Sequence, residues 1–91
     1  MDQTAKHIIF AGRVQGVGFR FTVHNAAKRH RLTGFVRNLL DGTVEMLAQG
    51  PSDDIDNCLR DINQTFGAYI KETKTEEVPP NIQYTDFRIT F

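Results

Sequence analysis

The sequence predicts an α+β sandwich of order βαββαβ with an extra C-terminal strand, its two helices packed on one face of a mainly antiparallel sheet. Three observations carry this: two stretches with apolar residues at helical spacing, an Asp-Gly pair between two short β-rich runs, and glycine or proline at the remaining joints. With 91 residues, 40% hydrophobic and 24% charged, the chain is expected to form one domain over residues 1–91, because chains divide only well above ~200 residues.

Taken in order, Lys6 to Val14 carries Ile8-Ile9-Phe10 and reads as a strand, ended by the glycines of Gln15-Gly16-Val17-Gly18. Between Phe19 and His30, the residues Phe19, Val23, Ala26, Ala27 and His30 fall on one helical face, with polar Thr22, Asn25 and Lys28 between them. Thr33 to Leu39 and Thr43 to Gln49 read as strands joined by Leu40-Asp41-Gly42, an antiparallel hairpin. Pro51 suits the first turn of a second helix, whose stripe Ile55, Cys58, Leu59, Ile62 and Phe66 stops near Gly67. Ala68 to Thr75 and Tyr84 to Phe91 read as two further strands around Val78-Pro79-Pro80-Asn81. No internal repeat, low-complexity tract or linker interrupts this order.

A βαβ crossover is right-handed and leaves room for a strand between its ends, so the third strand slots between the first and second, antiparallel to both. This is a ferredoxin-like sheet. Strands one and two then run parallel, with their C-terminal ends on one edge. The glycine loop and Asn38 share that edge, roughly 10 Å apart, since each strand spacing is ~4.8 Å.

Lys plus Arg total 11 and Asp plus Glu total 11, so no net field draws the chain to nucleic acid or an anionic membrane, and any anion site must be local. Cys58 is the single cysteine. It has no partner for an internal disulfide, which favours a reducing, cytoplasmic setting, and on its helical stripe it reads as an inert buried hydrophobe. Ile8 to Ala11 is too short for a signal peptide core or a membrane span. The basic run Lys28-Arg29-His30-Arg31 would suit RNA, but it equally complements the end of a helix dipole. An RNA-reading sheet would also want exposed aromatic and basic residues where Val44-Glu45-Met46-Leu47 stands. The expected partner is a small molecule, with no nucleic acid, no membrane and a monomeric chain.

The chemistry concentrates in Gln15-Gly16-Val17-Gly18-Phe19-Arg20. A glycine loop directly before a helix offers backbone N–H groups without intrahelical partners, the positive end of the helix dipole and, at Arg20, a planar fork of donors. These suit a tetrahedral anion such as phosphate, although a two-glycine turn between strand and helix is also a common structural joint. No Gly-Lys-Ser/Thr follows and no third glycine is present, so nucleotide hydrolysis and hydride transfer drop out. The loop holds no Cys, Ser, Asp or His to act as nucleophile, and no carboxylate pair or HExxH motif lies near the shared edge. Water would attack directly, and without a general acid only a good leaving group suffices. An acyl phosphate expels a carboxylate whose conjugate acid has a pKa of roughly 4, whereas an alkyl phosphate would expel a basic alkoxide.

Asn38 can place the attacking water, since a carboxamide both donates and accepts without adding negative charge beside an anionic substrate. Its plainer reading is a strand-end residue capping the hairpin. His24, one helical turn after Arg20, more commonly packs or meets solvent. The Phe91 carboxylate could approach Arg20 if the last strand runs toward the site. A module that binds phosphate without turnover would use the same donors.

These residues carry a resemblance. Gly12-Arg13-Val14-Gln15-Gly16-Val17-Gly18-Phe19-Arg20 resembles the first acylphosphatase signature, and Gly34-Phe35-Val36-Arg37-Asn38 with Gly42, Val44 and Gly50 resembles the second. With Leu32 and the closing Phe87-Arg88-Ile89-Thr90-Phe91, the resemblance covers nearly the whole chain. It implies a ferredoxin-like fold and cofactor-free, metal-free hydrolysis of carboxyl-phosphate anhydrides to carboxylate and inorganic phosphate. Arg20 matches that family's phosphate-binding arginine, Asn38 its water-orienting asparagine, and Gln15, Gly16, Val17, Gly18 and Phe19 the stretch whose amides bind phosphate. Two positions depart from it: Arg31 stands where many members have glycine after the first helix, and Phe10 where an aliphatic residue is usual.

Overall fold

The structure, a computed structural model, describes residues 3–91. Met1 and Asp2, part of the charged N-terminal stretch before the first strand, lie outside it. The elements run β1 (Thr4–Gly12), α1 (Phe19–Arg29), β2 (Thr33–Asn38), β3 (Val44–Gly50), α2 (Ser52–Phe66), β4 (Ile70–Val78) and β5 (Phe87–Ile89). The sheet order is β4-β1-β3-β2-β5. β3 lies between β1 and β2 and is antiparallel to both, as the crossover argument requires, and β5 runs parallel to β2.

The side chains alternate across the sheet, so Ile8, Phe10, Val36, Val44 and Met46 face the helices and are buried. Val23, Ala26 and Ala27 of α1 and Ile55, Cys58 and Ile62 of α2 close over them. Phe19 meets Phe10 and Phe66 edge-on, with ring centroids 5.0 and 5.3 Å away. Burying a ring of that size stabilises the fold by about 2–3 kcal/mol and pins the first residue of α1 to the core. Phe10 therefore fits as an aromatic partner at a position where an aliphatic side chain is usual.

At the end of α1, Leu32 N–H bonds Ala27 O (2.9 Å) and Arg31 N–H bonds Lys28 O (3.0 Å), the paired closure of a Schellman motif. Arg31 takes the left-handed conformation there, at φ 57°. The basic run around it has a second job: Arg29 and His30 reach Asp61 on α2 at 3.3 and 2.7 Å, clamping the helices together.

Three boundaries differ from expectation. Pro51 precedes α2 instead of opening it, with φ −60° and ψ 141°, and its carbonyl accepts from Asp54 and Ile55 N–H. β4 extends to Val78 because its exposed Ile-Lys-Glu-Thr-Lys-Thr-Glu-Glu-Val run pairs with β1 by backbone alone, leaving no apolar alternation to mark its end. β5 is short, and β4 and β5 occupy opposite edges of the sheet. The Pro79-Pro80 segment is thus a crossing and not a hairpin turn. It passes over the face of the sheet opposite the helices, where Gln49 holds it. β5 then runs back beside β2 toward the end of the sheet that carries the glycine loop. Among the described residues no helix is long and apolar enough to cross a membrane.

Candidate active site

β1 ends at Gly12, and the chain turns through residues 13–18 before α1 begins. Gly16 and Gly18 hold φ of 75° and 81°, a region costly for residues with a Cβ. A Cβ built on either would meet nothing within 4 Å, so these glycines face open space and not a crowded backbone. Gly18 stands at the N-cap of α1 without a side-chain cap bond. Arg13 N–H reaches Tyr69 O at 2.8 Å and Thr22 N–H closes on Gly18 O at 3.2 Å. Among the described residues no backbone N–H between those two has a hydrogen-bond acceptor. α1 carries no acidic residue in its first turn, whereas α2 has Asp53 and Asp54 in its own. The start of α1 is therefore an uncompensated positive pole with free donors.

This pole opens on a hollow of about 160 Å³ lined by Val14, Gly16, Gly18, Phe19, Arg20, Phe21 and Asn38. The sequence-derived edge argument is met: a residue ending β2 and the loop ending β1 share one cavity. Asn38 lies at the end of β2 on the helix-facing side, two residues after buried Val36. Its Oδ1 is buried without a hydrogen-bond partner. An unpaired buried acceptor costs ~1–3 kcal/mol, so a donor in the hollow would be welcome there.

Gln15 and Val17 do not line the hollow. The Gln15 side chain turns away and its Nε2 donates to Leu39 O and Thr43 O, both at 2.8 Å. The loop is thereby tied to the base of the β2–β3 hairpin. That hairpin is shaped in turn by Asp41, whose Oδ1 accepts from the Thr43 hydroxyl at 2.6 Å and the Thr43 N–H at 3.0 Å. The hydroxyl bond, with the backbone bond behind it, holds the Asp41 carboxyl below the usual carboxylate range.

Arg20 makes no ion pair among the described residues. It lies 5.2 Å from the centroid of the Phe91 ring. The end of the chain does approach Arg20, but through this ring; the Phe91 carboxylate makes no ion pair with it. His24 packs its ring 6.2 Å from that of Phe87 and does not line the hollow. Cys58 is fully buried, and burial, with the nearby Asp61 charge, pushes its thiol up to about 12. Among the described residues no group of three or more His, Cys, Asp or Glu is placed to hold a metal ion.

Sequence reasoning missed Phe21 and the Gln15 brace. Phe21 was detectable as an aromatic residue on the polar side of the α1 stripe. The brace had no local signal, since its partners lie 24 and 28 residues away.

A two-helix, five-strand sandwich with a glycine loop and an asparagine on one edge defines a small α+β domain of ferredoxin-like fold with a candidate anion site. Comparison with known proteins makes this specific: the acylphosphatase family profile matches residues 6–89. An acylphosphatase of Chlorobaculum tepidum is 40% identical over 98% of this chain and 98% of its own length. One from Bacillus licheniformis is 40% identical over 92% of this chain and 94% of its own. The crystal structure of acylphosphatase from Bacillus subtilis superposes with a TM-score of 0.88 at 32% identity, covering 97% of this chain and 99% of that one. The chain belongs to the acylphosphatase family, hydrolases whose activity is the cleavage of acyl phosphates.

Proposed function

We propose that this chain hydrolyses carboxyl-phosphate anhydrides by in-line attack of a water placed by Asn38 on a phosphoryl group held by the loop and Arg20. The observation that carries the reading is the buried Asn38 Oδ1, which opens on the same hollow as the loop amides and the Arg20 cation, all three without a hydrogen-bond or ion-pair partner among the described residues. Amides of Gly16, Gly18, Phe19 and the start of α1, which line the hollow, surround the non-bridging oxygens, and the Arg20 guanidinium balances their charge. Such preformed donors need no reorganisation as charge shifts during the reaction.

A water donating to Asn38 Oδ1 has one lone pair directed into the hollow. A new P–O bond forms from that lone pair, the P–O bond to the acyl oxygen breaks, and the carboxylate leaves with the bonding electrons. One water proton passes to a non-bridging phosphoryl oxygen, so a dianionic acyl phosphate yields a carboxylate and dihydrogen phosphate. No cofactor takes part in this scheme, and a chelator should leave the rate unchanged.

The test is phosphate release from benzoyl phosphate, with a simple alkyl phosphate as control, by wild type, Arg20→Ala and Asn38→Ala. Only the anhydride should turn over. Each substitution should lower kcat/KM by about 10²–10³ or more, the usual loss on removing a positioned charge-stabilising donor. Competitive inhibition by inorganic phosphate should survive in Asn38→Ala and fail in Arg20→Ala. Phosphate binding by wild type without turnover of the anhydride would leave a binding module instead.

A further inference from the structure

Beside the phosphate hollow lies a second one of about 170 Å³, lined by Arg20, Phe21, Ile89 and Phe91. Arg20 and Phe21 line both, so the two hollows adjoin. We infer that this second hollow is the acyl subsite, and that it selects acyl phosphates with an aromatic or bulky apolar acyl group. The inference rests on the hydrolytic reading above and adds the identity of the leaving half of the substrate.

Exposed aromatics argue for an apolar occupant. Phe21 is 69% exposed and Phe91 97% exposed, while the neighbouring outward positions of α1 are Thr22, Asn25, Lys28 and Arg29. Side-by-side exposed apolar groups at a cleft commonly mark a ligand surface. Two aromatic rings and an isoleucine flank one cation, and none of the lining side chains is acidic. With the Arg20 guanidinium committed to phosphate, only apolar contact is left for whatever follows the carbonyl.

Connectivity and size agree. In an acyl phosphate one bridging oxygen separates phosphorus from the carbonyl carbon. A substituent that leaves the phosphate hollow past Arg20 therefore enters space bounded by Phe21, which lines both hollows. Apolar cavities of ~150 Å³ accommodate a benzene-sized guest. The wall is open to solvent on one side, so discrimination should be moderate, about tenfold and not thousandfold.

The experiment compares kcat/KM for benzoyl phosphate and acetyl phosphate in wild type, Phe21→Ala, Phe21→Leu and Phe91→Ala. The benzoyl-to-acetyl ratio should fall about tenfold in Phe21→Ala, chiefly through a higher KM for the benzoyl compound, and Phe21→Leu should recover part of it. Phe91→Ala should lower the same ratio. A ratio unchanged within about twofold in both alanine variants would overturn the acyl subsite while leaving the phosphate site standing. An equal fall for both substrates, the sign that Phe21 or Phe91 only steadies Arg20, would overturn it too. If wild type hydrolyses neither anhydride, the hydrolytic reading fails first and the subsite with it.

Discussion

Gln15 Nε2 lies 2.8 Å from the carbonyl oxygen of Leu39, the residue directly after Asn38, so the loop that follows β1 and the end of β2 are joined by a side chain that is itself outside the hollow. The same nitrogen also reaches Thr43 O. The spacing between the free amides and the Asn38 carboxamide is therefore set by Gln15. Gln15→Ala should lower kcat/KM by roughly 10- to 100-fold, because displacements near 1 Å at a reacting centre can cost that much. Stability should fall by only about 1–2 kcal/mol, the worth of part-buried hydrogen bonds, as read by urea unfolding. A loss of activity no larger than the stability change explains would remove the positioning role.

The glycines divide sharply by what surrounds them. A Cβ at Gly34 would stand 1.9 Å from Leu47 O, whereas Gly16 and Gly18 have open space. Gly34→Ala should abolish folding or cost more than ~4 kcal/mol, since backbone atoms on the paired strand have no room to retreat. Gly16→Ala and Gly18→Ala should cost only about 1 kcal/mol each, for left-handed backbone. Their activity should nonetheless collapse, because both line the hollow proposed to hold the phosphoryl group and a methyl there would compete for its space. Thermal melting and phosphate-release assays on the same preparations separate the two effects.

Arg31 adopts φ 57° in the closure after α1. Arg31→Gly should stabilise the protein by about 0.5–1 kcal/mol, since glycine enters that region without the Cβ penalty, and Arg31→Asn should fall between. The side chain is exposed and remote from the hollow, so kcat should not change. A destabilised glycine variant would mean that the Arg31 side chain contributes contacts of its own.

Gln49 and Asn81 exchange a pair of hydrogen bonds, Gln49 Nε2 to Asn81 O at 2.9 Å and Asn81 N–H to Gln49 Oε1 at 2.8 Å. Gln49 is the one polar side chain among the buried described residues. It presents an amide face like that of a neighbouring strand to the segment crossing from β4 to β5. Gln49→Leu should destabilise by about 1–3 kcal/mol by orphaning both groups. Because that crossing delivers β5 to the edge beside β2, the Thr90 N–H, bonded to Val36 O at 2.9 Å, should lose protection from hydrogen exchange as well. Gln49→Glu keeps the acceptor and loses the donor, and should fall between wild type and Gln49→Leu in chemical denaturation.

Those bonds mark the limit of what the sequence made legible. The helices were readable because Phe19, Val23, Ala26 and Ala27, and Ile55, Cys58 and Ile62, repeat at a period only a helix satisfies. The site's location followed from topology alone, since parallel β1 and β2 must end on one edge. β4 and β5 were harder: Lys71 to Glu77 carries no apolar alternation, and two prolines resemble a turn whether the chain reverses or crosses. Gln49 with Asn81, Gln15 with Leu39, and Arg29 and His30 with Asp61 join distant positions through polar side chains. Periodicity does not register such pairs, because each partner alone looks like ordinary surface.

Two ionic clusters, His7 and Arg37 about Glu45 and Arg29 and His30 about Asp61, set how the fold responds to acid. Burial pushes the Glu45 carboxyl up, but hydrogen bonds from His7 Nε2 at 2.7 Å and from Arg37 outweigh it and leave the group below its usual range. At Asp61 the His30 hydrogen bond lowers the carboxyl, burial works against it, and Arg29 adds to the lowering. A carboxylate whose folded pKa is depressed contributes stability that is present above its unfolded value and lost as pH falls through the folded one. Unfolding free energy should therefore decline as pH drops below about 4.5 and continue downward beyond the ordinary carboxylate range. Glu45→Gln and Asp61→Asn should each flatten that decline, lying below wild type near pH 6 and converging on it as pH falls through the folded carboxylate values. Urea unfolding at several pH values decides the matter: variant and wild-type curves that stay parallel throughout would show that neither carboxylate is held by its partners in the folded state.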